Sequence, residues 1–199
     1  MSAQDTSFAR LVSLACHDLR TPLATVTGFA RTLTGLHGAE DQLGRYLGMI
    51  DAAAGQLAGL LDELSLVARI HGDRWEPLLD EADSLALARA AVEPLTETVD
   101  VTGTGTQVAV DEQAARASVG ALARCAVRHG GLERVELRVD GATLVLDPVS
   151  AETAEICLGR ELRDFPAAVA VRVIAALGGA TEGEAETLRV RLPLAPVIG

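Results

Sequence analysis

The sequence is poor in aromatic residues, in positive charge and in long apolar runs. Aromatic residues make up 3% of the 199 residues, so a core must be built mainly from leucine, valine and alanine. The formal net charge is −11, which argues against nucleic acid or an anionic membrane as the main partner, because both require a basic surface. No apolar run approaches the roughly 20 residues that span a bilayer. The N-terminus has no secretory signal pattern, so we expect a cytoplasmic protein without membrane insertion.

Cysteine is also scarce. Cys16, Cys125 and Cys157 are odd in number and show no C-x-x-C spacing, so we expect reduced, mostly buried thiols. No two histidines or two cysteines have the spacing of metal ligands. The sequence therefore predicts no metal site.

The first third of the chain has a helical period. Apolar residues from Phe8 to Leu33 recur at alternating steps of four and three, and those from Leu43 to Ala68 form almost four heptads. A glycine-containing break separates the two series, which predicts a helical hairpin over residues 7–71. A two-helix hairpin cannot enclose its own apolar stripe. We therefore expect a homodimeric four-helix bundle; the alternative is that the second half of the chain covers the stripe.

The remainder of the chain mixes helical and strand patterns, with a domain boundary near residue 75. We predict domains at 1–74 and 75–199 and an α+β fold class, in which the second domain is a sandwich with helices on one face of a mostly antiparallel sheet. Helices are expected at 83–95, 111–130, 151–164 and 165–179. Strands are expected at 97–103 and 106–111 around a glycine-containing turn, at 134–147 as an Asp-Gly hairpin, and at 185–194.

The segment "HDLRTPL", residues 17–23, interrupts the first helix with a proline, which costs roughly 3 kcal/mol inside a helix. His17 lies two residues from the apolar stripe on either side, about 200° of rotation, so its imidazole faces away from the seam. A neutral imidazole is a competent nucleophile toward phosphorus, and Asp18 can accept a hydrogen bond from one ring nitrogen. Thr21 lies one turn on and can orient a phosphoryl oxygen. Spacing alone leaves an ordinary polar helix face as the alternative.

This segment resembles the H-box of sensor histidine kinases, and the flanking sequences resemble that family's two dimerisation helices. The resemblance implies that His17 accepts phosphate and that Asp18 assists as acid or base. It also implies that Thr21 aids dephosphorylation, and that Arg20 contacts phosphate or a response-regulator receiver domain.

Residues 83–194 resemble, in their order of elements, the ATP-binding domain that histidine kinases share with gyrase. The family presents asparagines on a long helix to hold Mg²⁺ and phosphate, whereas Ala121 and Cys125 occupy these positions here. Neither offers the hard oxygen ligand that Mg²⁺ requires. The whole chain contains no asparagine.

Two glycine-rich nucleotide elements of that family are altered as well. The Asp-x-Gly-x-Gly segment is "DPVSA", which keeps Asp147 for adenine but has Val149 and Ala151 where glycines admit the nucleotide. A later glycine turn is replaced by "DFP" at residues 164–166, whose Asp164 would repel phosphates.

The resemblance with these departures predicts a phosphorelay protein that exchanges phosphate between His17 and response-regulator aspartates. We expect no cofactor and loss of ATP-dependent autophosphorylation. One alternative is a kinase core with weak ATP use, in which Asp147 still binds nucleotide with Mg²⁺. The other is a non-enzymatic dimer that binds a kinase or regulator.

Overall fold

A computed structural model describes residues 20, 23–28, 30, 31, 33, 42–161, 163–184 and 186–196. The chain divides into two compact units, Met1–Trp75 and Glu76–Gly199. Among the described residues, no helix has an apolar stretch long enough to cross a membrane.

The described residues of the first unit lie in two helices. Helix α1 is described at residues 20, 23–28, 30, 31 and 33, and helix α2 runs over Gln42–His71. The predicted end of the second helix is confirmed, since α2 terminates at His71 and a turn at Gly72 follows. Arg69 and His71 lie in the last turn, where basic side chains suit the negative end of the helix dipole.

The second unit is built on a five-stranded sheet in the order β2-β4-β5-β7-β6. Only the β2–β4 pair is parallel, and the other neighbours are antiparallel. Side chains of β4 alternate between buried and exposed, which shows that one face of the sheet is covered. The strands of this sheet are β2 (Thr98–Gly105), β4 (Arg134–Gly141), β5 (Thr143–Asp147), β6 (Ala180–Glu184) and β7 (Thr187–Arg191).

Four helices supply the other layer. They are α3 (Ser84–Val92), α4 (Glu112–Gly130), α5 (Ala151–Cys157) and α6 (Phe165–Ala176). Their apolar faces and the sheet form a core of small and aliphatic side chains, including the fully buried Leu122, Leu137 and Leu188. The predicted mixed architecture of helices on a mainly antiparallel sheet is confirmed.

Strand pairing departs from the sequence prediction in one place. The strand β3 (Gln107–Val110) follows β2 directly but pairs with β1 (Asp80–Asp83) in a separate two-stranded sheet. Gly103 in β2 has φ +103°, and a Cβ there would lie 2.0 Å from the Val139 carbonyl oxygen of β4. The glycine-rich stretch therefore lets β2 pack against β4 and is part of a strand, rather than only the turn expected before β3.

The helix expected over residues 151–164 is shorter than predicted. α5 ends at Cys157, where Leu158 is the C-cap and Gly159 adopts φ +65°. A glycine in the left-handed region just after the C-cap ends a helix, and this signal outweighed the helical composition of the following residues.

Candidate functional site

The predicted phospho-acceptor cluster is only partly within the described structure. His17, Asp18 and Thr21 lie outside the described residues. Arg20 is helical, and its Nη2 donates a hydrogen bond to Oδ1 of Asp62 on α2. Both side chains are largely exposed, so solvent screens the pair and its contribution to stability is small. Breaking the ion pair with Asp62 therefore costs little free energy, so the Arg20 guanidinium can contact a phosphate or a partner protein instead.

A second ion pair joins the same two helices. Arg31 Nε lies 2.9 Å from Asp51 Oδ1, again with an exposed arginine. Arg20 and Arg31 stand eleven residues apart, close to three helical turns, so they lie on one side of α1. The two pairs connect α1 to two positions of α2, Arg31 to Asp51 and Arg20 to Asp62.

Several apolar residues of the predicted stripe are exposed in the single chain. They are Val26, Leu33, Ile50 and Leu57, with exposed fractions between 40% and 54%. Leu57 lies in the middle of α2. Its exposed side chain contributes no free energy of apolar burial in the single chain. The described part of the first unit therefore exposes several large apolar side chains to solvent.

In the second unit, Cys125 of α4, one of the two residues that stand in place of asparagines, packs against α5. Cys125 is fully buried, and its Sγ lies within hydrogen-bond distance, 3.2 Å, of the Cys157 Sγ of α5. Ala121, one turn earlier, is half-buried. The contact with Cys157, followed by burial, strongly raises the pKa of the Cys125 thiol. Cys125 is consequently a protonated core residue in the absence of a metal.

Asp147, Val149 and Ala151, which belong to the altered Asp-x-Gly-x-Gly segment, differ in burial. Asp147 ends β5 and is half-buried. Val149 is fully buried, and its backbone N–H donates to the Glu186 carbonyl at 2.6 Å. Ala151 is exposed and begins α5. A buried isopropyl group thus fills the space that a glycine would leave next to Asp147.

Asp164 is part of a helix cap. Its Oδ1 accepts a hydrogen bond from the Ala167 backbone N–H at 3.0 Å, which makes it the N-cap of α6, with Pro166 in the first turn. Phe165 is exposed at the start of the same helix. Asp164 is itself almost fully buried. The residues that replace glycines at 164–166 therefore begin helix α6, with Asp164 as its N-cap.

A group of potential ligands surrounds Asp164 that sequence reasoning missed. Asp164 Oδ2 lies 3.2 Å from His129 Nε2, and donor atoms of Cys125, His129 and Asp164 all lie within 4.8 Å of one another. Cys125 and His129 are one helical turn apart, so the sequence alone contains the signal for this half of the group. Asp164 belongs to another element, and only the folded chain brings it near.

Comparisons with known proteins address each unit. Residues 9–73 match the His Kinase A (phospho-acceptor) domain family. Full-length ShkA in complex with AMPPNP superposes with a TM-score of 0.66 at 21% identity, covering 94% of this chain and 47% of ShkA. This chain therefore spans about half the length of ShkA. The histidine kinase AdeS of Acinetobacter baumannii superposes with a TM-score of 0.58 at 16% identity, covering 90% of this chain and 98% of that structure.

No curated protein sequence matches the chain. At these identities the superpositions show the fold, whereas the family match identifies the helical hairpin. Residues 9–73 therefore match the His Kinase A (phospho-acceptor) domain family, and the chain as a whole has the fold of a histidine kinase core.

Proposed function

We propose that this chain is a dimeric phosphorelay protein that works without ATP. His17 takes a phosphoryl group from the aspartate of one response-regulator receiver domain and passes it to the aspartate of another. In each transfer an acyl O–P bond breaks and an N–P bond forms at one ring nitrogen of His17, or the reverse. The other ring nitrogen keeps its proton, and Asp18 accepts a hydrogen bond from it. The carboxylate of the receiver's aspartate leaves as an anion and needs no proton.

The family match to residues 9–73 carries the acceptor half of this proposal. The matched range includes the "HDLRTPL" segment, in which we assign His17 as the nucleophile, Asp18 as its acid or base, and Thr21 as the residue that aids dephosphorylation. Arg20 is the described member of this set, and its exposed guanidinium can contact phosphate or the receiver.

The burial of Cys125 under α5 carries the other half, the loss of ATP use. Magnesium-assisted phosphoryl transfer requires oxygen ligands and donors held close to the triphosphate, and rates fall by orders of magnitude without them. The α4 face offers a buried thiol instead, Val149 fills the interior beside Asp147, and Asp164 is occupied as a helix cap. We expect the second unit to bind no nucleotide and to serve as a docking surface for the receiver.

The exposed apolar residues of the first unit support the dimer. Val26, Leu33, Ile50 and Leu57 belong to the helical series that predicts a bundle, and they stay exposed in one copy. A second copy related by a two-fold axis would cover them, since the same stripe is self-complementary.

A phosphotransfer assay tests the proposal. Receiver domains are phosphorylated on aspartate with labelled acetyl phosphate, freed of the donor, and mixed with the wild-type chain or with His17→Gln. We expect acid-labile label on the wild-type chain and none on the variant. If no receiver in a panel from the same source transfers label, or if His17→Gln is labelled equally, the phosphorelay is wrong. Tight binding of a receiver without any transfer would favour the non-enzymatic dimer.

A kinase core with residual ATP use is the second candidate. It is favoured by the superposition on ShkA, which was solved with AMPPNP, and by the retained Asp147. Calorimetric titration with AMPPNP and Mg²⁺ separates the two. We expect no measurable heat of binding at millimolar nucleotide, whereas micromolar binding that is lost in Asp147→Asn would establish the second candidate.

A further inference from the structure

The ligand cluster of the second unit combines three different donor groups from two helices. Cys125 and His129 lie on successive turns of α4, and Asp164 caps the start of α6. Cys125 is fully buried and Asp164 is 8% exposed. The His129 side chain is 22% exposed and connects the cluster to solvent.

The spacing of these donors suits a small cation. Zinc binds thiolate sulfur at about 2.3 Å and imidazole nitrogen or carboxylate oxygen at about 2.0–2.2 Å, so ligands on one tetrahedral ion lie roughly 3.3–3.8 Å apart. His129 Nε2 and Asp164 Oδ2 are 3.2 Å apart, and all three donors lie within 4.8 Å of one another. A contraction of at most about 1.5 Å between any two donors brings them onto a shared ion.

The charges of the cluster also match a divalent ion. One thiolate and one carboxylate together neutralise a charge of +2, so a bound ion would leave no net charge in a largely buried place. Arg128 Nη1 lies 3.7 Å from Asp164 Oδ2, and its side chain is 56% exposed. It can turn into solvent when a cation replaces it beside the carboxylate.

The neighbouring Cys157 orients the sulfur of Cys125. Its S–H donates to Cys125 Sγ at 3.2 Å, and both residues are fully buried. Hydrogen bonds to a coordinating atom fix its direction and influence metal affinity. The cluster therefore has three ligands, a supporting donor and a solvent-facing side for a water molecule.

We propose that Cys125, His129 and Asp164 form a binding site for one divalent transition-metal ion of the zinc type. On binding, the Cys125 thiol loses its proton to water, a sulfur–metal bond forms, and a water molecule takes the fourth position. No electron is transferred. The soft thiolate and the imidazole favour zinc over Mg²⁺ or Ca²⁺, which prefer oxygen ligands. The ion ties α4 to the start of α6, and this role is independent of His17.

Metal titration of the full-length chain tests the site. The reduced protein is stripped with a chelator and titrated with Zn²⁺ against a chromophoric competitor, and separately with Co²⁺. We expect one ion per chain, with Co²⁺ giving the visible bands of a four-coordinate site and a thiolate-to-cobalt charge-transfer band. His129→Ala and Cys125→Ser should each lose the charge-transfer band or bind at least about 100-fold more weakly, since each removes a ligand.

Two further variants make the test specific. His71→Ala removes a histidine from the last turn of α2, as His129→Ala does from α4, and should leave the affinity unchanged. Cys157→Ser should keep the charge-transfer band while binding about 10–100-fold more weakly, because it alters only the supporting donor.

Thermal unfolding distinguishes a lost ligand from a misfolded variant. His129 is partly exposed, and we expect His129→Ala to unfold cooperatively, with a Tm that Zn²⁺ no longer raises. Failure of the wild-type chain to bind one Zn²⁺ would overturn the proposal. So would a cobalt spectrum without a thiolate band, or Zn²⁺ affinity that is equal in wild type, His129→Ala and Cys125→Ser.

Discussion

At the scale of single residues, Arg20 and Arg31 have similar surroundings but different expected roles. Each exposed arginine pairs with an aspartate of α2, Asp62 and Asp51 respectively. Exposed ion pairs contribute little to stability, about 0–1 kcal/mol. Arg20 alone lies inside "HDLRTPL", so any large effect of its removal must come from its interactions with phosphate or the receiver.

We therefore predict that Arg20→Ala slows phosphotransfer from a labelled receiver by about tenfold or more, the loss expected when one charge-assisted contact to phosphate is removed. Arg31→Ala is the matched control and should transfer at the wild-type rate. Both variants should change the free energy of unfolding by less than about 1 kcal/mol. Equal rates in Arg20→Ala and wild type would assign Arg20 to the ion pair alone.

Two aspartates that cap helices differ in their further contacts. Asp111 caps α4 and also accepts a hydrogen bond from the Leu78 backbone N–H at 3.2 Å, in an exposed setting. Asp164 caps α6 in a buried setting and also contacts His129. The sequence predicts the Asp111 cap because Asp111 precedes a clear helical pattern. For Asp164 the sequence predicts only repulsion of phosphates and no helix cap.

We predict that Asp111→Ala lowers the free energy of unfolding by about 1 kcal/mol, the usual cost of a lost cap. Asp164→Ala should cost more, about 2–3 kcal/mol, since it also leaves buried polar groups without a partner. Urea unfolding of both variants measures the difference. A smaller loss in Asp164→Ala than in Asp111→Ala would contradict the burial argument.

At the scale of elements, local signals predict some boundaries well. Asp111 and the Gly130–Gly131 pair delimit α4, and Asp140–Gly141 marks the hairpin of β4 and β5. The strand β1 has the sequence DEAD, which lacks β-branched and aromatic residues, so no local preference indicates it. The parallel pairing of β2 with β4 depends on residues far apart in sequence, which a strand pattern cannot specify.

Gly103 and Gly131 provide a prediction at this scale. Both have positive φ, but a Cβ on Gly103 meets the β4 backbone at 2.0 Å, and one on Gly131 meets nothing within 4 Å. Gly131→Ala should cost only the left-handed strain, about 1–2 kcal/mol. Gly103→Ala should cost more than about 3 kcal/mol, because it adds a backbone clash in the sheet. Chemical denaturation of the two variants checks this order, and similar losses would contradict it.

At the scale of the whole molecule, the sequence predicts one site better than the other. The H-box is contiguous, so residue order alone indicates His17 as the candidate acceptor. The metal cluster joins α4 to a residue 35 positions after His129, so it requires the fold. The residues that differ from the nucleotide-binding pattern of histidine kinases are visible in the sequence, but the packing of Cys125 against Cys157 of α5 emerges only in three dimensions.

Dimerisation is a property of the whole molecule. We predict that Leu57→Arg raises the dimer dissociation constant at least about 100-fold, since it places an unpaired charge in an apolar seam. Leu78→Arg is a matched control at an exposed leucine outside the hairpin, and it should remain dimeric. Sedimentation velocity at micromolar concentration measures both. A monomeric wild-type chain, or a Leu57→Arg variant that stays dimeric, would contradict the bundle.

The central claim is that His17 carries a phosphoryl group that did not come from a nucleotide. A donor comparison on one preparation tests it most directly, with labelled ATP and Mg²⁺ in one reaction and labelled receiver phosphate in the other. The account predicts acid-labile label at His17 from the receiver and none from ATP. Label at His17 from ATP, or from neither donor, would contradict it.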